Sequence, residues 1–498
     1  MAANPSAEPE TSLSEQERLA TRIASAVDDA GGRALIVGGW PRDRLMGRVP
    51  KDVDLEVFGV TPERLRALLE AFSGPGGVVA VGESFQVYKV GGLDVSLPRR
   101  ESKSGRGHKG FDIVGDPSMT PVEAARRRDF RINAISWDPL LETYLDPFEG
   151  RLDIERRVLR AVDLRTFGDD SLRVLRAVQF AARFDFALDG ETRALCASIA
   201  LDDLPAERIW GEFEKLLLAP RPSVGFRLMM ELAVIDKLFP ELKALDGCVQ
   251  EPEWHPEGDV WVHTLQVIDQ ARTRIDDLGR PQQLTVMLGA VCHDLGKPAT
   301  TAFLDGRIRS IDHEEQGVPP ATAFLDRLNV HSIDGYDVRR EVLGMTAQHL
   351  KPGMWFKVRD EVGDGAFRRL SQKVDLELLA RLAKADCMGR QPGTFDCSAM
   401  DWFLERARAI GADKGPPPPI LLGRHVLALG VRPGPRVGEI LKTVYDEQLD
   451  GTITTLDAAN ARAKALLETE TETETETDGG TGSTRSNGET EKRRKRIE

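Results

Sequence analysis

The chain has 498 residues, 41% of them hydrophobic, which is enough for about three domains with sizeable cores. No apolar run reaches the roughly 20 residues that span a bilayer, and the opening MAANPSAEPETSLSEQERLA lacks a basic stretch followed by an apolar one, so a cytoplasmic location is expected. A net charge of −13 excludes a uniformly basic, nucleic-acid-coating surface but leaves room for local patches such as Arg126-Arg127-Arg128 and Arg156-Arg157.

Along the chain, Ala34 to Val37 is predicted as a short buried strand, Gly38-Gly39 as a tight turn, and Pro41 to Met46 as a short helix stopped by Gly47. A glycine turn feeding a helix N-terminus presents backbone N–H groups and a positive dipole end, which suits a phosphate. Lys51 to Phe58 then alternates as a strand, with Val53, Leu55 and Val57 on one face and Asp52, Asp54 and Glu56 on the other. Adjacent carboxylates repel unless a cation lies between them, so this pair points to a divalent metal, with a solvated acidic strand face as the alternative.

Gly38-Gly39, Arg42-Asp43 and Gly47 followed by Asp52-Val53-Asp54 resemble the head motif of bacterial tRNA nucleotidyltransferases and poly(A) polymerases. The resemblance implies an α+β chain: a small mixed-sheet nucleotidyltransferase head, an all-α neck and body, and an all-α HD domain. It implies Mg²⁺ on Asp52 and Asp54, with Asp94 from GGLDVSLPRRESKSGRGHKGF as a third carboxylate and the Gly/Ser/Lys/Arg run after it as a mobile loop. A structural salt bridge is the alternative role for Asp94. The nucleotide would meet Gly38, Gly39, Arg42 and Asp43, then Arg128, Asp129 and Asn133 of RRRDFRINAI, where Arg131 and Ala124 depart from the family pattern. In YLDPFEGRLDIERRVLRAV, Asp146, Gly150 and Asp153 fit a motif linking head to neck.

In DDSLRVLRAVQFAARF, Asp170, Arg173 and Arg176 recur every three residues and share a helix face, while Leu172, Val174 and Leu175 can pack inward. The resemblance assigns Asp170 and Arg173 to the incoming base. An aspartate accepts from the amino group of cytosine or adenine and an arginine donates to their ring acceptors, whereas uracil would turn a carbonyl toward the carboxylate. Gln179 stands where relatives often carry a further arginine near the phosphates.

A second centre follows in EWHPEGDVWVHTLQVI and LTVMLGAVCHDLGKP, which resemble the HD superfamily of metal-dependent phosphohydrolases. His263, the His293-Asp294 pair, His313, His349 and Asp386 keep the superfamily's ligand order, which implies a transition metal or Mg²⁺ and hydrolysis of 2′,3′-cyclic phosphates or 2′-phosphates at RNA ends; structural histidines are the alternative.

The expected organisation is therefore an N-terminal extension and leading helix at 1–33, the head at 34–165, the neck and body at 166–250, the HD domain at 251–400, a C-terminal helical segment at 401–466 and a disordered tail at 467–498. Residues 468–498 hold nine acids and six bases, so the tail carries only a small part of the negative charge. The five cysteines, Cys196, Cys248, Cys292, Cys387 and Cys397, show no C-x-x-C spacing and are expected to be reduced.

The implied activity is template-independent addition of CCA to tRNA from CTP and ATP, with no membrane and no obligate protein partner. The shared head motifs leave open a poly(A) polymerase or a C-only or A-only adder. A repair phosphohydrolase with a non-catalytic RNA-binding head, and a tRNA-binding module, remain as readings of other classes.

Overall fold

The computed structural model describes residues 14–73, 77–81, 87–103, 111–390, 392–393 and 395–478. The head is a seven-stranded mixed sheet built from β1 (Arg33–Val37), β2 (Asp54–Phe58), β3 (Val79–Val81), β4 (Val87–Val90), β5 (Leu93–Ser96), β8 (Ser136–Asp138) and β9 (Thr143–Leu145), ordered β3-β4-β5-β2-β1-β8-β9. β2 runs parallel to β5, a pairing that sets Asp54 directly opposite Asp94.

The helix Glu15–Asp29 starts at a Ser14 capping box and lays Ala20, Ile23, Ala24 and Val27 against Ile36, Leu55, Val57 and Val95 of the sheet. On the other face Leu35, Val37 and Phe58 pack with Met119 and Ala124. Because both faces are covered, the alternation expected of residues 51–58 does not leave a solvated acidic face. Glu56 is buried and lies 3.8 and 3.6 Å from Arg127 and Arg128, and Asp52 precedes the strand.

β6 (Arg99–Lys103) and β7 (Phe111–Gly115) form an antiparallel pair where a loop was expected; residues 104–110, the middle of that expected mobile loop, lie outside the described residues. Helices Leu172–Phe184, Ala206–Leu217 and Pro222–Glu231 pack as the neck and body, with Phe213, Phe226 and Phe239 at the centre. The helices Val260–Arg272, Arg280–Cys292 and Val338–Gln348 follow.

The chain divides into two units, Met1–Leu350 with Arg381–Cys397, and Lys351–Ala380 with Ser398–Glu498. Residues 351–380, expected within the HD segment, thus group with the C-terminal unit. That unit contains an aromatic cluster of Trp355, Phe367 and Phe403 and a helical core of Val426, Ile440, Val444 and Ala459.

Two expectations are corrected. The Glu-Thr run is helical as far as Asp478, since the helix Leu456–Asp478 begins in a packed segment and extends from it; residues 479–498 lie outside the described residues. Cys387 and Cys397 are joined in a disulfide, because the chain leaving the helix Leu376–Met388 doubles back and brings their Cα atoms to 6.0 Å. A spacing of ten residues gave no sequence signal for that pair.

Candidate active sites

The turn after β1 holds Gly38 at φ +76°, ψ −127°, a conformation that favours glycine, and a Cβ there would stand 2.9 Å from Asp54 Oδ2. The turn backbone therefore touches the carboxylate that heads β2. Burial raises the Asp54 pKa, the charges of Asp94 and Asp52 add to that rise, and Arg128 and Lys89 offset only part of it. Lys89 Nζ is 2.7 Å from Asp94, so the salt bridge weighed as an alternative for Asp94 exists alongside its pairing with Asp54. Three crowded carboxylates, one of them destabilised as an anion, fit a site for a divalent cation.

A cavity of about 380 Å³ opens beside this cluster, a size typical of small-molecule sites. Gly38, Gly39, Arg42 and Asp54 line it, with Arg128, Asp129 and Asn133 on a second wall and Asp170, Arg173 and Arg176 on a third. A hydrogen-bonded relay fixes these walls. Arg42 Nη1 donates to Asn133 Oδ1 (2.5 Å), Asn133 Nδ2 to Asp129 Oδ1 (2.9 Å), and Arg176 Nε to Asp129 Oδ2 (2.6 Å). Burial works to raise the Asp129 pKa, but Arg176, Asn133 and the Phe130 N–H outweigh it and hold the carboxyl below the usual range.

Asp43 and Asp52 line an adjoining cavity with Arg183 and Lys51, where Asp43 lies 2.7 Å from Arg42 and 3.7 Å from Arg183. Gln179 does not reach either cavity. It is 1% exposed, its helix turning it into the core, and its Oε1 has no hydrogen-bond partner.

Three lining or supporting arginines escaped the sequence. Arg99 and Arg127 line the first cavity, and Arg208, on the helix Ala206–Leu217, donates to both oxygens of Asp170 (3.1 and 2.9 Å). Arg99 and Arg127 sat in basic runs that were visible; Arg208 is 38 residues from its partner and carried no signal.

In the second centre all six sequence-predicted residues are buried and converge. Asp294 is the hub: Oδ2 lies 3.1 Å from His293 Nε2 and 3.8 Å from His263 Nε2, while Oδ1 lies 3.4 and 3.9 Å from Nε2 of His313 and His349. Asp386 Oδ1 is 3.0 Å from His263 Nε2. Gly296, after the His-Asp pair, packs against the backbone of His313, where a Cβ would meet His313 O at 2.0 Å.

The other ring nitrogens explain the orientation. Nδ1 of His293, His313 and His349 meets the carbonyl oxygen three residues back, at Ala290, Ser310 and Thr346 (2.9, 2.8 and 2.9 Å). A carbonyl only accepts, so Nδ1 carries the proton and Nε2 presents its lone pair. His263 Nδ1 sits 2.7 Å from Glu257 Oε1, which also lies 2.9 Å from His255 Nδ1.

The Nε2 atoms of His313 and His349 then face each other at 3.3 Å, and His293 Nε2, buried beside Asp294 Oδ2, has no hydrogen-bond partner. Converging lone pairs around a buried carboxylate fit a metal-ligand set. Two triads share Asp294, His263-His293-Asp294 and Asp294-His313-His349. Glu257, His255 and the buried Lys297, whose Nζ is 2.9 Å from Asp294, were missed; HPEGD and HDLGK held the readable signal for them.

Residues 34–160 match the Poly A polymerase head domain, 185–245 the model described as "Probable RNA and SrmB- binding site of polymerase A", and 260–388 the HD domain. A Multifunctional CCA protein from Xanthomonas campestris pv. campestris (strain B100) is 33% identical over 421 residues, covering 82% of this chain and 95% of its own length. This chain belongs to the multifunctional CCA protein family.

The family member from Stenotrophomonas maltophilia (strain K279a) is 41% identical over 306 residues, 59% of this chain and 71% of that protein. The fold is that of the Bacillus stearothermophilus CCA-adding enzyme in complex with CTP, at TM-score 0.61 and 20% identity over 93% of this chain and 100% of that one. The Thermotoga maritima CCA-adding enzyme complexed with tRNA aligns at TM-score 0.56 and 18% identity over 92% and 97%. Head and HD domains both imply divalent metals, and among the described residues the HD centre holds candidate ligand groups. No helix among the described residues is long and apolar enough to cross a membrane.

Proposed function

We propose that this chain adds C, C and A to the 3′ end of tRNA from CTP and ATP, releasing pyrophosphate. The observation that carries the reading is a single cavity whose walls are the Gly38-Gly39 turn, Asp54, and the Asp170, Arg173 and Arg176 side chains. Phosphate recognition, one metal-binding carboxylate and groups able to read a base thus share one nucleotide-sized space.

Asp52 and Asp54, with Asp94 beside them, would hold Mg²⁺, which would supply charge neutralisation and activation of the attacking 3′-hydroxyl. The turn's N–H groups and Arg42 hold the triphosphate, with Arg42 itself aimed by Asp43 and Asn133. Asp170 accepts from the amino group of cytosine or adenine, and Arg173 donates to the ring. Arg208 and the Leu172 N–H occupy three of the roughly four acceptor positions of the Asp170 carboxylate, leaving one for an amino group.

The HD centre supports a second activity on the same class of substrate, hydrolysis of 2′,3′-cyclic phosphates or 2′-phosphates at RNA ends. His263, His293, Asp294, His313, His349 and Asp386 would hold a divalent metal, which would supply Lewis-acid activation of a water there. Lys297 beside Asp294 adds a fixed positive charge for a phosphate. Two variants separate the centres on one preparation. Asp54→Asn should abolish extension of a tRNA that ends before its CCA and spare phosphate release, and His293→Ala should do the reverse; full extension by Asp54→Asn would overturn the assignment.

A further inference from the structure

The HD ligand set forms only one wall of a cavity of about 490 Å³, far more space than a phosphate group needs. Asp294, His313, His349 and Asp386 line it together with Trp254 and Ile311. Trp254 is 47% exposed and Ile311 53%, so a cavity that holds the metal ligands also presents accessible aromatic and aliphatic surface.

Trp254 is also fixed. It and His255 close a turn onto Glu251 O through their backbone N–H groups (3.1 and 2.9 Å), and Glu251 Oε2 accepts from the Ile308 N–H (3.0 Å) of the neighbouring hairpin strand Arg307–Ser310. The Arg307 guanidinium covers the indole, 5.6 Å from its ring, and is itself 3.2 Å from Glu253. The side chain of the next residue, His255, runs through Glu257 to His263, so two short polar contacts join the residue following Trp254 to a metal ligand.

We propose that Trp254 is the base-stacking platform of the HD site, so that this centre selects phosphates attached to a nucleoside over other phosphate esters. The phosphate sits toward Lys297 and the ligand set, and the base lies against the indole with Ile311 beside it. The inference rests on the reading of the HD centre as a phosphohydrolase and adds to it what the site recognises beyond the phosphate. Base–aromatic stacking of the usual strength corresponds to about 5- to 150-fold in affinity.

The test uses the full chain supplied with Mn²⁺, Ni²⁺ or Mg²⁺, comparing wild type with Trp254→Ala, Trp254→Leu and Trp254→Phe. Equilibrium dialysis of adenosine 2′-O-phosphorothioate measures binding, and KM and kcat are taken for 2′-AMP and for glycerol 2-phosphate, which has no base. The proposal expects the Ala and Leu variants to lose about tenfold or more in binding and in KM for 2′-AMP, with kcat and glycerol 2-phosphate hydrolysis unchanged and the Phe variant near wild type. Unchanged binding in all variants, or equal losses for both esters, would overturn it. If wild type hydrolyses neither ester, the phosphohydrolase reading fails, and the dialysis result alone decides whether Trp254 holds the base.

Discussion

Replacing Gly38 by alanine tests the head geometry at its tightest point. The backbone at φ +76°, ψ −127° is one that a residue with a Cβ adopts only under strain, at a cost of about 1–3 kcal/mol. The added methyl would lie 2.9 Å from Asp54 Oδ2, roughly 0.5 Å or more inside ordinary contact. Either the turn rotates its N–H groups away from the phosphates or Asp54 moves, and a displacement of about 1 Å at a reacting group costs on the order of 100-fold. Gly38→Ala should therefore lower kcat for single-nucleotide addition about 100-fold while melting only slightly earlier. Gly39→Ala is the comparison, since its Cβ would meet Arg42 Nη2 at 3.2 Å and Asp43 Oδ2 at 3.8 Å on a backbone without positive φ, and it should cost less than Gly38→Ala. A Gly38→Ala enzyme within threefold of wild type would refute the close approach of turn and carboxylate.

Three further outcomes follow from the same geometry. Glu257→Gln removes the anion that orients His263 and should weaken metal binding by the HD centre about 10- to 100-fold in equilibrium dialysis; unchanged affinity would show that Glu257 does not position the ligand. Arg208→Ala releases Asp170 from its two-point restraint and should raise misincorporation of UTP relative to CTP in single-addition assays, whereas an unchanged ratio would remove Arg208 from the base-reading wall. For Asp54, the folded pKa lies above the ordinary 3.8, so its ionisation opposes folding at neutral pH and that penalty fades as pH falls toward 3.8, where the unfolded chain also protonates. In EDTA, Asp54→Asn should melt above wild type at pH 7.5 and converge with it in acid, and Mg²⁺ should raise the wild-type Tm alone; a lower-melting variant in EDTA would contradict the crowding of the three carboxylates.

Much of the head was legible because its signals are local. A strand, two glycines and a short helix within a dozen residues announced the phosphate turn, and the i, i+3 spacing of Asp170, Arg173 and Arg176 put three side chains on one cavity wall. The limits came from packing that sequence spacing does not encode. The solvated acidic face weighed as the alternative for this strand fails at Glu56, because alternation says nothing about a second layer, and here Arg127 and Arg128 cover it. Gln179 follows Arg176 by three residues yet points into the core, since the helix face rotates past the cavity within a turn.

The HD ligands were found as an ordered set, but not what holds them. Three histidines are oriented by carbonyls of their own helix ends or turns, a backbone effect, and the fourth by Glu257, six residues upstream. The Cys387–Cys397 bond and the Arg208–Asp170 pair depend on how the chain doubles back, and composition carries no trace of either.

In the proposed function, the cavity beside Asp54 selects C, C and then A without a nucleic-acid template. Purified chain is incubated with Mg²⁺, a tRNA lacking its terminal CCA, and CTP, ATP or both, and the 3′ ends are sequenced. The account predicts ordered C, C, A with both nucleotides and arrest after C, C with CTP alone. A run of A from ATP alone, a single type of nucleotide added from the mixture, or no extension by folded protein would contradict it.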